Sequence, residues 1–200
     1  MLNGKFIGVA EQANVFVLEQ KFAVRSAKQV TLRATALGVY FAEVNGVRVG
    51  DGYLAPGWTS YNKTLQVQEY DITPLVKEGE NILTLTVNEG WYCGALTWER
   101  KRDTYGKQPA VCADLVADGK RILSTDESWS ARESFIRESG IYDGETQDFT
   151  VDLKPLTPVA VAFDKKALVL QMCEIVRTTG RIPVKEVIRT PKGELVYDFG

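Results

Sequence analysis

The sequence contains no histidine among its 200 residues. Ser-His-Asp and Cys-His catalysis and H-E-x-x-H zinc sites therefore cannot be built from this chain alone. Any acid–base chemistry would fall to carboxylates, lysine, tyrosine or cysteine. Cysteine is scarce too, because Cys93, Cys112 and Cys173 are odd in number, widely spaced and form no C-x-x-C pair. We expect reduced, structural thiols and neither a disulfide framework nor a zinc site.

Long apolar segments and clustered basic residues are also missing. The longest apolar runs, Pro158 to Phe163 and Ala167 to Leu170, are far shorter than the roughly 20 residues of a membrane helix. The formal net charge is −2 and Lys and Arg are spread along the chain, so we expect neither a nucleic-acid nor a membrane partner. Met1 is followed by no signal-peptide pattern, which predicts a cytoplasmic protein for the chain as written.

The pattern of apolar residues indicates an all-β protein. Val30, Leu32, Ala34 and Ala36 alternate with polar residues, whereas no segment keeps a helical period for more than two turns. Many short strands with irregular returns favour a β-sandwich of jelly-roll type. The predicted strands are Val15 to Phe22, Val30 to Ala36, Val39 to Val44, Val47 to Val49, Asn81 to Val87, Ala110 to Ala117, Lys120 to Ser124, a strand region near Ala167 to Val176, Val184 to Ile188 and Glu194 to Phe199.

Turn residues predict three hairpins. Asn45-Gly46 and Asp118-Gly119 each join two predicted strands, because both central positions of a type I′ turn need positive φ, which these residues tolerate. By the same logic Lys192-Gly193 joins the last two strands.

One short connecting helix and one domain boundary are also predicted. Residues 71–79 form a helix of one to two turns, with Thr73 as N-cap, Pro74 at the first position and Gly79 as the stop. Two prolines in Leu153-Lys154-Pro155-Leu156-Thr157-Pro158 favour an extended connector. We therefore divide the chain into residues 1–154, a β-sandwich, and residues 155–200, a linker with the truncated start of a second β-domain.

Two aromatic segments are candidates for ligand contact. Trp58, Tyr61 and Asn62 lie in a loop rich in hydroxyl groups, and flat rings beside such groups suit a sugar, whose C–H faces stack on aromatic rings. The alternative is that Trp58 closes the end of the sandwich. Trp91 and Tyr92, between two glycines and followed by Trp98, raise the same choice between binding and packing. For Trp129 we expect core packing.

Asp143 and Glu145 form the remaining candidate site. At positions i and i+2 they share one face if the backbone is extended. Four interpretations stay open: a solvated turn, contact with a sugar hydroxyl pair or an interface, a calcium site, or an acid and base pair. Catalytic carboxylates normally face each other from different elements, which disfavours the last. The charged run of residues 98–103 is expected to be a solvated loop.

Several motifs together give the chain a family resemblance. They are Ala36-Leu37-Gly38-Val39-Tyr40, Val44-Asn45-Gly46-Val47-Arg48-Val49-Gly50, Leu54-Ala55-Pro56-Gly57-Trp58-Thr59-Ser60-Tyr61, Tyr70-Asp71-Ile72-Thr73, Gly90-Trp91-Tyr92 and Ile141-Tyr142-Asp143-Gly144-Glu145. In this order they resemble the non-catalytic amino-terminal region of bacterial α-L-rhamnosidases of glycoside hydrolase family 78. Val169 to Glu174 and Val196 to Gly200 resemble the opening of that family's next β-domain.

The resemblance implies a galactose-binding-like jelly roll and a parent enzyme that hydrolyses terminal α-linked L-rhamnose with inversion. The two acidic catalytic residues of such enzymes lie in an (α/α)6 barrel that has no counterpart here, so the fragment itself is expected to be inactive, without cofactor. The expected partners are a rhamnosylated carbohydrate and the catalytic domain. The resemblance assigns a supporting role at the substrate pocket to Trp58, Tyr61, Trp91, Tyr92, Asp143 and Glu145. A stand-alone carbohydrate-binding module and a purely structural domain remain alternatives.

Overall fold

The structure, a computed structural model, describes residues 2–200, and its regular secondary structure is almost entirely β-strand. The strands are β1 (Phe6–Val9), β2 (Val15–Val24), β3 (Val30–Leu37), β4 (Val39–Val44), β5 (Val47–Arg48), β6 (Gly52–Tyr53), β7 (Leu65–Asp71), β8 (Gly79–Asn88), β9 (Ala110–Ala117), β10 (Lys120–Ser124), β11 (Ser130–Glu133), β12 (Ile136–Gly140), β13 (Gly144–Gln147), β14 (Pro155–Leu156), β15 (Pro158–Val161), β16 (Leu168–Leu170), β17 (Val176–Arg177), β18 (Glu186–Arg189) and β19 (Leu195–Asp198). The helices are short: α1 (Gly90–Cys93) and two 3-10 turns, Thr73–Leu75 and Lys165–Ala167.

Two sheets form the body of the molecule. The first has the order β15-β1-β9-β3-β7-β16, with β10 also paired to β9, and the second has the order β14-β11-β2-β8-β4-β5. Every pairing in them is antiparallel except that of β16 with β7. Three small two-stranded sheets, β12-β13, β17-β6 and β18-β19, complete the described chain. The prediction of an all-β jelly-roll sandwich is therefore confirmed.

The main core lies between the two sheets. Leu32 and Ala34 of β3 and Leu83 and Leu85 of β8 are all buried there, because alternate residues of each strand point inward. Trp129 packs into the same cluster and donates its indole N–H to the carbonyl of Ser124 at 3.0 Å. The expected packing role of Trp129 is confirmed.

A second apolar cluster covers the other face of the first sheet. Ala110 and Cys112 of β9 belong to it, whereas Val111 and Ala113 between them belong to the main core. Its remaining buried members include Phe6, Leu37, Tyr61, Leu65, Val67, Tyr92, Cys93 and Leu168. This cluster matters for function because it supports the loops that carry the aromatic residues.

The local turn signals agree with the structure in two hairpins out of three. Asn45 and Gly46 have φ of 54° and 77°, and Asp118 and Gly119 have φ of 47° and 79°, as a type I′ turn requires. The third hairpin, β18-β19, also forms, but its connection runs from residue 190 to residue 194 and only its glycine has positive φ. The predicted two-residue turn at Lys192-Gly193 is thus wrong in length.

The predicted helix over residues 71–79 is shorter in the structure. Only Thr73–Leu75 is helical, and Thr73 is not its cap, because the Thr73 hydroxyl accepts from the amide of Val30 at 2.9 Å and donates to Asp71. The buried Asn81 side chain then binds both backbone groups of Lys77, accepting from the N–H at 2.9 Å and donating to the carbonyl at 2.8 Å. These two hydrogen bonds from the Asn81 side chain satisfy the Lys77 backbone where a second helical turn was expected.

The chain after the proline connector returns to the sandwich. Strand β14 pairs with β11, β15 pairs with β1, and β16 pairs with β7, so residues 155–170 extend both sheets. The hairpin β18-β19 pairs only with itself among the described residues, and its Val187, Val196 and Tyr197 are about half exposed. The division at residue 154 stays a prediction, and this pairing favours a later boundary.

The three thiols differ in environment, which predicts a clear difference in reactivity. Cys93 and Cys112 are buried, and burial raises the pKa of each to about 12, whereas Cys173 is exposed, contrary to the expectation of a buried structural residue. Because the thiolate is the reactive form, we expect a thiol reagent to modify one cysteine in the native chain and three after denaturation. The C173S variant should show no rapid reaction; rapid native modification of a second thiol would contradict the prediction.

Candidate functional site

Trp58 and Trp91 lie against each other at the surface. Their ring centroids are 6.0 Å apart and their planes differ by only 9°. Trp58 belongs to the loop after β6 and Trp91 to α1, so the pair joins two segments that are far apart in sequence. The indole N–H of Trp58 donates to the Tyr105 hydroxyl at 3.1 Å, while 52% of Trp58 remains exposed. The structure thus brings two of the predicted aromatic residues together with one ring still open to solvent.

A small cleft of about 220 Å³ lies beside this pair, and we call it the tryptophan cleft. Gln66 and Gln68 of β7 form part of its floor, and both amide groups donate to the carbonyl of Pro56, at 3.3 and 3.5 Å. The Gln66 oxygen also accepts from the amides of Met172 and Cys173, at 2.9 and 3.3 Å. These bonds tie both the aromatic loop and the segment after β16 to β7, and both segments line the cleft.

Tyr61 and Tyr92 support the tryptophan cleft from below. The two rings meet edge to face at 5.5 Å and both are buried in the second apolar cluster. The Tyr61 hydroxyl donates to the carbonyl of Gly57 at 3.0 Å, and burial raises its pKa well above the usual value for tyrosine. Their position favours packing over ligand contact for both residues.

Asn62 and Trp98, the other candidates of the two aromatic segments, do not join the cleft. Both are exposed, and Trp98 is fully so. Neither lines the tryptophan cleft or any of the neighbouring clefts described below.

Asp143 lies in a different place, at the tip of the β12-β13 hairpin. The two terminal N–H groups of the Arg100 guanidinium donate to the Asp143 carboxylate, at 2.7 and 2.6 Å, and this pairing holds the pKa of Asp143 below its usual value. Close by, Arg102 pairs with Glu89, which also accepts from the amide of Asn14 at 2.9 Å. These pairs line a polar cleft of about 560 Å³ in which the charges are largely neutralised by one another.

Glu145 does not share a face with Asp143. Asp143 is a turn residue and Gly144 has a φ of +74°, so the backbone is not extended between the two carboxylates. Glu145 follows in β13, accepts from the Gln147 amide at 2.8 Å and lines a separate groove. The condition for one shared face, an extended backbone, is not met, and the two residues do not form an acid and base pair across a common cleft.

Comparison with known proteins decides the family. A model of the α-L-rhamnosidase N-terminal domain matches residues 25–182. This chain belongs to that family.

Relatives of this α-L-rhamnosidase N-terminal domain are much longer than the chain itself. The α-L-rhamnosidase of Streptomyces avermitilis is 34% identical over an alignment of 216 positions, which covers 98% of this chain and 21% of that protein. The crystal structure of native α-L-rhamnosidase from Aspergillus terreus superposes with a TM-score of 0.90 at 30% identity, covering 98% of this chain and 26% of that one. The Streptomyces avermitilis enzyme complexed with L-rhamnose gives 0.81 at 30% identity, with 98% and 20% coverage.

Several residues of this rhamnosidase domain that shape the clefts escape sequence reasoning. Gln66 and Gln68 alternate along β7, but alternation alone does not separate a buried amide from a solvated one. Arg100 and Arg102 belong to the run expected to be a solvated loop, whereas each pairs with a carboxylate from another segment. Within residues 2–200 no group of three or more Cys, Asp or Glu side chains is placed to hold a metal ion, and none of the described helices has the length and apolar character to span a membrane.

Proposed function

We propose that this domain is the non-catalytic amino-terminal part of an enzyme that hydrolyses terminal α-L-rhamnose from glycosides or polysaccharides with inversion. The support is the family match over residues 25–182 together with relatives of which the chain covers about a fifth. No residue of this chain is assigned as acid or base, because Asp143 is held by Arg100 and Glu145 faces elsewhere. The catalytic pair would lie in another domain of the parent enzyme.

The role proposed for the domain is to contribute the tryptophan cleft to recognition of the rhamnosylated carbohydrate. The observation that carries it is the stacked pair Trp58 and Trp91, with the Trp58 ring half exposed and fixed by Tyr105. A ring held in place loses little freedom when a sugar stacks on it, and we take as a guide the value for aromatic pairs, about 0.5–1.5 kcal/mol beyond burial. The amides of Gln66 and Gln68 place polar groups beside the rings.

The W58A variant tests the role directly. We expect the 200-residue chain to bind methyl α-L-rhamnoside weakly, and the variant to bind it about tenfold more weakly, because about 1.4 kcal/mol of stacking and contact is lost. Titration calorimetry at millimolar sugar measures both constants. The matched control is W98A, since Trp98 is fully exposed and lies outside the cleft. Equal affinity of W58A and the unaltered chain would contradict the proposal.

The second candidate function is purely structural, and the burial of Tyr61 and Tyr92 favours it for those two residues. In that case the aromatic loop packs the domain against the rest of the enzyme, and W58A would change the stability of the parent enzyme without changing sugar affinity. Both candidates predict that the isolated chain does not hydrolyse an aryl α-L-rhamnoside.

We also propose that the sandwich continues to about residue 170 and that the next β-domain begins after it, which the pairing of β14, β15 and β16 supports.

A further inference from the structure

The outer face of the second sheet carries a groove that is distinct from the tryptophan cleft. In the strand register, Phe41 lies beside Thr86 and Val39 lies beside Asn88, and these side chains point away from the main core. They form the floor of a groove of about 390 Å³, a volume within the range of roughly 300–1,000 Å³ found for small-molecule sites. The sheet therefore offers a floor in which the apolar side chains of Phe41 and Val39 lie beside the polar side chains of Thr86 and Asn88.

One wall of the groove is an ordered stack of Arg48 with two aromatic rings. The Arg48 guanidinium lies 4.9 Å from the Phe41 ring centroid and 5.1 Å from that of Tyr53. It also donates to the carbonyl of Gly52 at 2.9 Å, which fixes the strand that carries Tyr53. Such cation–π contacts hold all three groups in place, while Tyr53 stays 49% exposed. The wall combines a fixed cation with a flat apolar surface.

The β12-β13 hairpin also lines the groove, and side-chain hydrogen bonds tie it to the second sheet. Asn88 donates to the Ser139 hydroxyl at 2.8 Å, and the Ser139 amide donates to the Asn14 side chain at 2.7 Å. Glu145 of the same hairpin also lines the groove. Ser139 and Glu145 thus line the same groove as Arg48 and Tyr53.

We propose that this groove binds a neutral saccharide of one or two sugar rings. The half-exposed ring of Tyr53 suits the C–H face of a sugar, and Arg48, Asn88 and Glu145 supply donors and acceptors for its hydroxyl groups. Arg48 and Glu145 both line the groove, which therefore carries one positive and one negative side chain and no excess charge that would favour an ionic ligand. Tyr53 and Leu54 also line the tryptophan cleft, so the groove and the cleft lie side by side.

The test is a titration of the isotope-labelled 200-residue chain with rutinose, a neutral disaccharide of rhamnose and glucose, followed by amide NMR shifts. We expect the amides of Phe41, Thr86 and Ser139 to move with saturating curves. E145Q and R48L should each raise the dissociation constant for rutinose, fitted to the shifts of these amides, about tenfold. The matched control is E80Q, because Glu80 also carries an exposed carboxylate but pairs with Lys21 away from the groove. The dissociation constant of E80Q for rutinose should stay within about twofold of that of the unaltered chain.

The outcomes separate this groove from the proposed role of the tryptophan cleft. W58A should change the dissociation constant measured at the groove amides by less than about twofold, whether or not it weakens sugar binding at the tryptophan cleft. Groove amides that do not move at high millimolar rutinose, or constants unaffected by both E145Q and R48L, would overturn the proposal. A spread of amide chemical shifts like that of the unaltered chain establishes that each variant is folded. If R48L fails this check, R48M replaces it, since methionine keeps the stem of the side chain while removing the guanidinium.

Discussion

The G38A variant is expected to lose the native fold. Gly38 connects β3 to β4 with a φ of +132°, a conformation that residues with a Cβ rarely adopt, and an added Cβ would overlap the carbonyl oxygen of Asn88. That oxygen belongs to the backbone of β8, which is paired on both sides, so it has little room to move. We expect a loss of more than about 4 kcal/mol, which is a large share of the stability of an ordinary domain.

The matched control for G38A is G46A. Gly46 also has positive φ, at +77°, but an added Cβ there meets nothing within 4 Å. The control therefore measures the backbone cost alone, about 1 kcal/mol, and the difference between the two variants reports the collision with Asn88. Urea unfolding followed by circular dichroism measures both. If the free energies of unfolding of G38A and G46A differed by less than about 1 kcal/mol, the result would show that the β8 backbone can shift to accommodate the added Cβ.

Gly38 also bears on the candidate site, because the same junction positions α1. Gly90, the first residue of α1, has a φ of +48°, and a Cβ on it would lie 2.6 Å from the Val39 side chain and 2.9 Å from the Val39 amide. Two glycines thus allow the β3-β4 connection and the start of α1 to touch, and Trp91 follows directly. The orientation of Trp91 depends on this close backbone approach.

The part of the fold that could be predicted is the part determined by neighbouring residues. The Asn45-Gly46 and Asp118-Gly119 hairpins were located because the turn residues themselves carry the required φ. Strand β7 was not identified, because Leu65 and Val67 alternate with Gln66 and Gln68 over only four residues, which is too short a pattern to specify a strand. The parallel pairing of β16 with β7 was also beyond prediction, because it joins residues about a hundred positions apart and no local signal specifies the partner.

The candidate site follows the same division. Clusters of Trp, Tyr and Gly identified Trp58 and Trp91, but nothing in the sequence indicated that the two rings stack or that Tyr105 binds one of them. The bond between Arg100 and Asp143 spans 43 residues, and it removes Asp143 from any pairing with Glu145. The sequence showed which single residues could contact a ligand, whereas the contacts between distant segments became known only from the three-dimensional structure.

Raising the pH above about 10 is expected to unfold the domain through its buried tyrosines. Burial raises the pKa of Tyr40 and of Tyr61 well above the ordinary value of 10.0, and the neighbouring Tyr70 and Tyr105 add to the shifts. The unfolded chain loses these protons first, so the stabilisation is complete below pH 10 and falls as the pH rises toward the folded pKa values. Each phenol removes up to about 1.4 kcal/mol per pH unit, so the two together remove up to about 5 kcal/mol near pH 12.

The Y61F variant separates the ionisation from other effects of alkaline pH. It loses the hydrogen bond to Gly57, which costs about 1 kcal/mol at neutral pH, but its stability should fall less steeply above pH 10, by about 1.4 kcal/mol per pH unit. Urea unfolding at several pH values gives this slope, which is independent of the neutral-pH cost. Y142F is the control, because the Tyr142 ring is 56% exposed, and its slope should equal that of the unaltered chain. An unchanged slope in Y61F would mean that the Tyr61 hydroxyl reaches solvent before the domain unfolds, and that the loop carrying Trp58 opens separately from the sandwich.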